Sequence, residues 1–121
     1  MDEAKVMEYF LSLLGQVKAY HWSTMSYAVH KALDDLHEEL SELVDEFVEV
    51  YIGRFNKQPV KPATLSFKVH TDTSKFLKYL EEERDTLRKM HHTFAKNSEL
   101  QTILDDMMKA INKTVYLSRL E

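Results

Sequence analysis

The sequence predicts an all-α protein, a single four-helix bundle that spans residues 1–121. Only two glycines and two prolines occur in the 121 residues, too few breakers for a fold of many short, turned strands. Hydrophobic residues make up 44% and charged residues 30%, which is ordinary for a globular domain with one core. Apolar residues also recur every three or four positions in four long segments, as they do on one face of a helix.

The first two predicted helices form a hairpin over residues 2–23 and 26–54. The apolar stripe of the first consists of Val6, Phe10, Leu13, Leu14, Val17 and Tyr20. The stripe of the second consists of Val29, Leu33, Leu36, Leu40, Leu43, Phe47 and Tyr51. Cap-forming residues at 23–26 indicate the turn between the helices, and Gly53 with Asn56 indicates the C-terminal end of the second.

The second hairpin follows a long irregular crossover, residues 55–72, which contains both prolines. The third helix is predicted over residues 73–96. The fourth covers residues 98–120 and begins with a capping box, Ser98-Glu99-Leu100-Gln101. The apolar stripe of the third consists of Phe76, Leu80, Leu87, Met90 and Phe94, and that of the fourth consists of Leu100, Ile103, Leu104, Met107, Ile111 and Leu117. Two helical hairpins joined by one long crossover are the ferritin-like arrangement of a four-helix bundle.

Composition excludes several classes of function. Cysteine is absent, which removes disulfides, thiolate metal sites and cysteine nucleophiles. The net charge of −4 and the lack of a basic tail argue against DNA binding. No apolar run is long enough for a membrane span, and the N-terminus does not read as a signal peptide. We therefore expect a soluble, cytoplasmic protein.

The charge is concentrated in one acidic block within the second helix. Between residues 34 and 49 there are eight acids and no Lys or Arg. The rest of the chain contains the other 12 of the 20 acids and all 16 bases, so its net charge is +4. An acidic helix face is usually just solvated, but like charges at i, i+4 repel each other. Cation binding would relieve that repulsion.

Two i, i+4 pairs of metal-binding residues share one arc of this helix, His30 with Asp34 and Asp45 with Glu49. They lie about 16 Å apart at 1.5 Å per residue, so one chain cannot bring them to one ion. His30 with Glu49 and Asp34 with Asp45 are, however, symmetric about the midpoint between residues 39 and 40. An antiparallel second copy would therefore complete two equivalent sites.

The same arc carries Tyr27, Val48 and Ile52, apolar residues that suggest a buried contact on a face outside the core. The simplest interpretation is a homodimer through helix 26–54. Mixed imidazole and carboxylate ligands suit iron, manganese or zinc.

The run Tyr20-His21-Trp22, the pair His30-x-x-x-Asp34 and, eleven residues after that Asp, the pair Asp45-x-x-x-Glu49 resemble the Dps-like mini-ferritins. The resemblance implies a ferroxidase that oxidises Fe²⁺ with hydrogen peroxide or dioxygen and sequesters the iron, in a dodecamer or a dimer. Its implied ligands are His21, His30 and Asp34 from one chain and Asp45 and Glu49 from the other. Trp22 would lie beside the site and quench radicals.

Some alternatives stay open at this point. His21 is either a ligand or a core or capping residue, and Trp22 is either a redox residue or part of the core or an interface. His37 is a ligand, a hydrogen-bond partner of a ligand, or an exposed side chain. An intrachain di-iron site is unsupported, because no Glu-x-x-His occurs in the chain. The alternative function is a non-catalytic structural or interaction protein that keeps the bundle and the dimer.

Overall fold

The computed structural model describes residues 3–68 and 70–120, and within these residues it contains four α-helices and no β-strand. They are α1 (Glu3–Ser23), α2 (Tyr27–Phe55), α3 (Thr73–Thr93) and α4 (Ser98–Ser118). The prediction of an all-α four-helix bundle, with two hairpins and one long crossover, is confirmed. Asp2, where the first helix was predicted to begin, lies outside the described residues, as does Val69 of the crossover.

The ends of α2 follow the local chemistry of the sequence. Ser26 is the N-cap, and its side-chain oxygen accepts a hydrogen bond from the backbone N–H of Val29 at 3.2 Å. At the other end Asn56 adopts a left-handed conformation with φ of 52°, and its N–H bonds to the carbonyl of Ile52. Gly53 lies inside the helix, so Asn56 alone provides the stop.

The second hairpin differs from its prediction at three helix ends. α3 ends at Thr93 and not at residue 96, because Phe94 turns into the core at the C-cap. The predicted capping box is wrong: Asn97 is the N-cap of α4 and makes no side-chain capping bond. α4 ends at Ser118 and not at residue 120.

The helices are arranged in the order α1, α2, α4, α3 around the bundle, since α1 packs on α2, α2 on α4, and α4 on α3. α1 and α3 are antiparallel neighbours, because the Tyr9 hydroxyl donates to the carbonyl of Glu83 while the Tyr20 hydroxyl bonds to Thr73. The crossover therefore runs the length of the bundle, from the end of α2 to the start of α3.

The core is formed by the predicted stripes with few exceptions. Its largest fully buried side chains include Phe10 of α1, Phe47 of α2 and Phe76 of α3. Leu117 is 38% exposed, so its predicted place in the core is wrong. Among the described helices, none has the combination of length and apolar character needed to cross a membrane.

Candidate metal half-sites on the first hairpin

The two candidate ligands His21 and His30 face each other across the turn of the first hairpin. His21 lies in the last turn of α1, and His30 lies in the first turn of α2. Their imidazole rings stack with centroids 3.8 Å apart and an angle of 21° between the planes. The nine-residue interval in the sequence thus brings the rings into contact because a short turn, capped by Ser26, reverses the chain between them.

Each of these histidines donates a hydrogen bond to the backbone carbonyl of the other. The Nδ1 of His21 lies 2.8 Å from the carbonyl oxygen of His30, and the Nδ1 of His30 lies 2.7 Å from the carbonyl oxygen of His21. A carbonyl only accepts, so both Nδ1 atoms carry protons and both neutral rings have a lone pair at Nε2. Metal-binding histidines are commonly held in this way, with the other ring nitrogen donating to a carbonyl or carboxylate.

Asp34 lies beside this histidine pair. Its Oδ1 is 3.9 Å from the Nε2 of His21, and its side chain is about half exposed, whereas that of His21 is 8% exposed. The structure therefore brings together the three residues predicted to come from one chain. The acidic block begins at Asp34, and its second acid, Asp35, forms an exposed ion pair with Lys31 at 3.9 Å.

His37 lies next to the same group. Partial burial lowers the pKa of His37, and the positive charge of Lys18 acts in the same direction, while Asp34 opposes them. His37 thus belongs to the electrostatic surroundings of the candidate ligands. Its predicted role as a ligand or as a hydrogen-bond partner of one stays a prediction.

Trp22, the predicted redox residue, points away from the core. Its side chain is 72% exposed, and the Nζ of Lys18 lies 5.9 Å from the centre of its ring, within the range of a cation–π contact. Met25 and Tyr27 are also highly exposed at this end of the hairpin. This end therefore presents three large apolar side chains to its surroundings.

Asp45 and Glu49, the candidate ligands at the far end of the acidic block, are both exposed on α2. The protomer does not bring them to the histidines. Across residues 3–68 and 70–120, no three His, Asp or Glu side chains are grouped closely enough to hold a metal ion. A single chain thus keeps the group of His21, His30 and Asp34 apart from the pair Asp45 and Glu49. We call these the candidate half-sites, and metal binding by either of them stays a prediction.

Asp45 borders an apolar groove that the sequence analysis missed. This α1–α2 groove has a volume of about 350 Å³, and its apolar lining consists mainly of Met7, Leu11, Leu14, Val48 and Val60. Helical periodicity did not indicate this groove, because it assigned Leu14 to the core of α1. Leu11, which lies outside that stripe, is exposed at the groove. Val60 comes from the crossover, whose path no local pattern in the sequence specifies.

The fold and these residues define an all-α four-helix-bundle protein whose first hairpin presents a histidine pair beside an acidic helix face. The chain belongs to the family described as "Family of unknown function (DUF5856)", which residues 21–117 match. It is similar to the "Uncharacterized 14.6 kDa protein in mobD-ri intergenic region" of Enterobacteria phage T4, with 31% identity over 116 residues, 93% of this chain and 87% of the phage protein. No solved structure matches the chain.

This family membership overturns the predicted resemblance: the identification as a Dps-like mini-ferritin is wrong. The resemblance depended on a few polar residues at helical spacing, and acids at i, i+4 occur on exposed helices of many unrelated proteins. A metal site in this chain therefore has support only from the contacts among its own side chains.

Proposed function

We propose that two copies of this protein bind divalent transition-metal ions between them. His21, His30 and Asp34 of one protomer form one half of each site, and Asp45 and Glu49 of the partner subunit form the other half. The observation that carries the proposal is the reciprocal bonding of the histidine pair, which uses both Nδ1 atoms, leaves both Nε2 atoms free of backbone bonds and puts that of His21 3.9 Å from Asp34 Oδ1.

The charges of α2 support the same proposal. Eight acids within half of one helix repel each other in the isolated chain, and bound cations would offset that repulsion. The set of two imidazoles and three carboxylates fits Fe²⁺, Mn²⁺ or Zn²⁺. The apolar α1–α2 groove beside Asp45 gives the dimer a surface to bury around the polar ligands.

A complementation experiment tests the proposal. The variants His30→Ala and Glu49→Gln each damage one half-site, and each alone is expected to lose Zn²⁺ binding in isothermal titration calorimetry. Because a mixed dimer pairs the intact His30 of one chain with the intact Glu49 of the other, mixing the variants should restore about a quarter of the wild-type sites. Glu46→Gln removes an acid of the same helix outside the predicted ligands and is the matched control.

Restored binding in the mixture supports a site shared between chains. If both variants bind Zn²⁺ as the wild type does, or if mixing restores nothing, the shared site is wrong. Light scattering after size-exclusion chromatography measures the assembly in the same samples. A chain that stays monomeric with and without Zn²⁺ would also contradict the proposal. A mass of twelve protomers would support the predicted dodecamer.

Oxidation of Fe²⁺ stays a prediction, and it is tested with the same variants. Carboxylates stabilise Fe³⁺, which is harder than Fe²⁺, so an acid-rich site favours the oxidised ion. Fe²⁺ added without oxygen and then exposed to hydrogen peroxide should give a ferric absorbance that Asp45→Ala with Glu49→Ala abolishes. An absorbance that is equal in wild type and variant would contradict a ferroxidase. The cytoplasmic location expected from the sequence also stays a prediction.

A non-catalytic structural protein is the second candidate. It is favoured by the fact that the histidine pair already satisfies its Nδ1 atoms within the chain and braces the hairpin without any ion. In that case the histidine substitutions would lower the stability of the fold, while the affinity for metal ions would be weak and unchanged between wild type and variants.

A further inference from the structure

The side of the bundle where α1 faces α3 contains a second polar site, remote in the fold from the histidine pair. A groove of about 270 Å³ opens here, with Ser66 and Lys68 of the crossover at its edge. We call it the α1–α3 groove; its other polar lining residues include Tyr9, Ser12, Gln16, Tyr79 and Glu83. None of these residues takes part in the proposed metal site.

Gln16 is the most unusual residue of this groove. Its side chain is only 6% exposed, and its Oε1 atom has no hydrogen-bond partner among the residues that the structure describes. A buried amide oxygen without a donor loses the hydrogen bonds that water gave it in the unfolded chain. Because this oxygen is itself covered, the Gln16 side chain has to turn towards the groove for the N–H group of a ligand to supply the missing bond.

Glu83 adds a carboxylate on the opposite wall. Its pKa is raised by burial and by the nearby charge of Glu82. Ionised Glu83 is therefore costly in the empty groove, and a positive charge close to it would offset that cost.

The rings of Tyr9 and Tyr79 complete the walls between these groups. Both side chains are partly buried in the groove, and burial raises the pKa of each phenol, so both stay neutral. Neutral phenol rings offer faces that attract a cation. Lys68 also lines the groove, but it is exposed on the crossover.

These groups together select the charge and the hydrogen-bonding type of a ligand. An anion would be repelled by Glu82 and Glu83, and an apolar molecule would leave Gln16 without a donor. A primary ammonium carries a positive charge and three N–H donors. We propose that the α1–α3 groove binds a small primary alkylammonium, with Gln16 and Glu83 accepting its N–H groups and the tyrosine rings lying against its carbon chain.

Titration calorimetry of the full chain with 1,4-diaminobutane tests this proposal, with 1,4-butanediol as the uncharged control of equal length. We expect saturable binding of one diamine per chain and no binding of the diol. Gln16→Met and Glu83→Gln should each weaken diamine binding about tenfold or more, because the first removes an acceptor for the ammonium and the second removes the negative charge that faces it. Glu46→Gln, which removes an exposed acid of α2 outside both proposed sites, should leave diamine binding unchanged.

Circular dichroism checks that the variants fold. Glu83→Gln removes a partly buried charge at constant size, so it keeps the test decisive where the substitution of buried Gln16 prevents folding. Equal binding of the diol, no binding of the diamine at millimolar concentration, or a loss caused by Glu46→Gln but not by Glu83→Gln would overturn the proposal. Tighter binding of Nα-acetyl-lysine amide than of the diamine would overturn the assignment to a small free ligand, because the groove would then prefer the lysine side chain of a protein.

Discussion

His21 and His30 hold the two ends of the first hairpin together through one another's backbone. The carbonyl of His21 belongs to the last turn of α1, where helical N–H donors are no longer available. The Nδ1 of His30 supplies a donor to that carbonyl at 2.7 Å and so caps α1, while the Nδ1 of His21 bonds back to α2. The pair is therefore a structural connection whether or not its Nε2 atoms bind a metal ion.

The first prediction concerns the stability that this connection provides. His30→Ala removes the donor for the end of α1 and should lower the free energy of unfolding by about 1–2 kcal/mol. His21→Ala should have a similar effect, and the double variant should cost less than the two single costs added, because both lose the same ring stack. Urea unfolding measures all three, with exposed His92→Ala as the control. Strictly additive costs would contradict the coupling.

The second prediction concerns the surface between the proposed subunits. Val48 is half-buried at the α1–α2 groove, next to the half-site residues Asp45 and Glu49. Val48→Lys places a charge that an isolated protomer can extend into water but that a dimer would have to bury. We expect it to abolish both dimer formation and Zn²⁺ binding while the helical circular dichroism signal is kept.

The matched control for this variant is Tyr116→Lys, which changes an exposed apolar residue of α4 that is not part of the groove. It should leave the assembly as it is in the wild type. Size-exclusion chromatography with light scattering gives the mass of each variant. A Val48→Lys protein that still forms dimers would show that the subunits meet through another face.

Much of the fold could be predicted from the sequence because the signals for it are local. The stripes that contain Phe10, Phe47 and Phe76 repeat at helical spacing, and Ser26 and Asn56 have the side chains that start and stop a helix. The failures lie where tertiary packing decides the result. Phe94 ends α3 by turning into the core, and the α4 N-terminus forms without the capping bonds that its sequence suggested.

The candidate site could be predicted only in part, for a similar reason. Spacing on one helix placed His30 and Asp34 on one face, and the structure puts His21 beside them. The hydrogen bonds between His21 and His30 use backbone carbonyls as acceptors. Every residue has such a carbonyl, so no residue type in the sequence indicates these bonds. The α1–α3 groove depends on where the crossover packs, and helical periodicity does not specify that path. Periodicity also does not show that the Gln16 oxygen is buried without a hydrogen-bond donor.

The third prediction uses the two glycines to test the path of the crossover. A Cβ atom added at Gly15 would overlap the ring of Phe67, whereas one added at Gly53 meets nothing within 4 Å. Replacing a glycine inside a helix with alanine raises the free energy of unfolding by about 1 kcal/mol. We expect that full gain for Gly53→Ala, and a smaller one for Gly15→Ala because the Phe67 ring must move.

In a Phe67→Ala background the obstacle is gone, so Gly15→Ala should recover the gain seen at Gly53. Urea unfolding of the four single and double variants measures the difference. Equal stabilisation by both glycine substitutions in the otherwise wild-type chain would contradict the contact between the crossover and α1.

The last prediction concerns pH and Glu83. Because burial raises the pKa of this carboxyl in the folded chain, its contribution to stability is favourable below the pKa of the unfolded chain and is lost as pH rises through the folded pKa. Glu83→Gln, which resembles the protonated form, should therefore have a higher urea midpoint than wild type at about pH 7, with the gap closing towards about pH 4. A gap of constant size across this range would mean that the substitution acts through packing and not through the ionisation of Glu83.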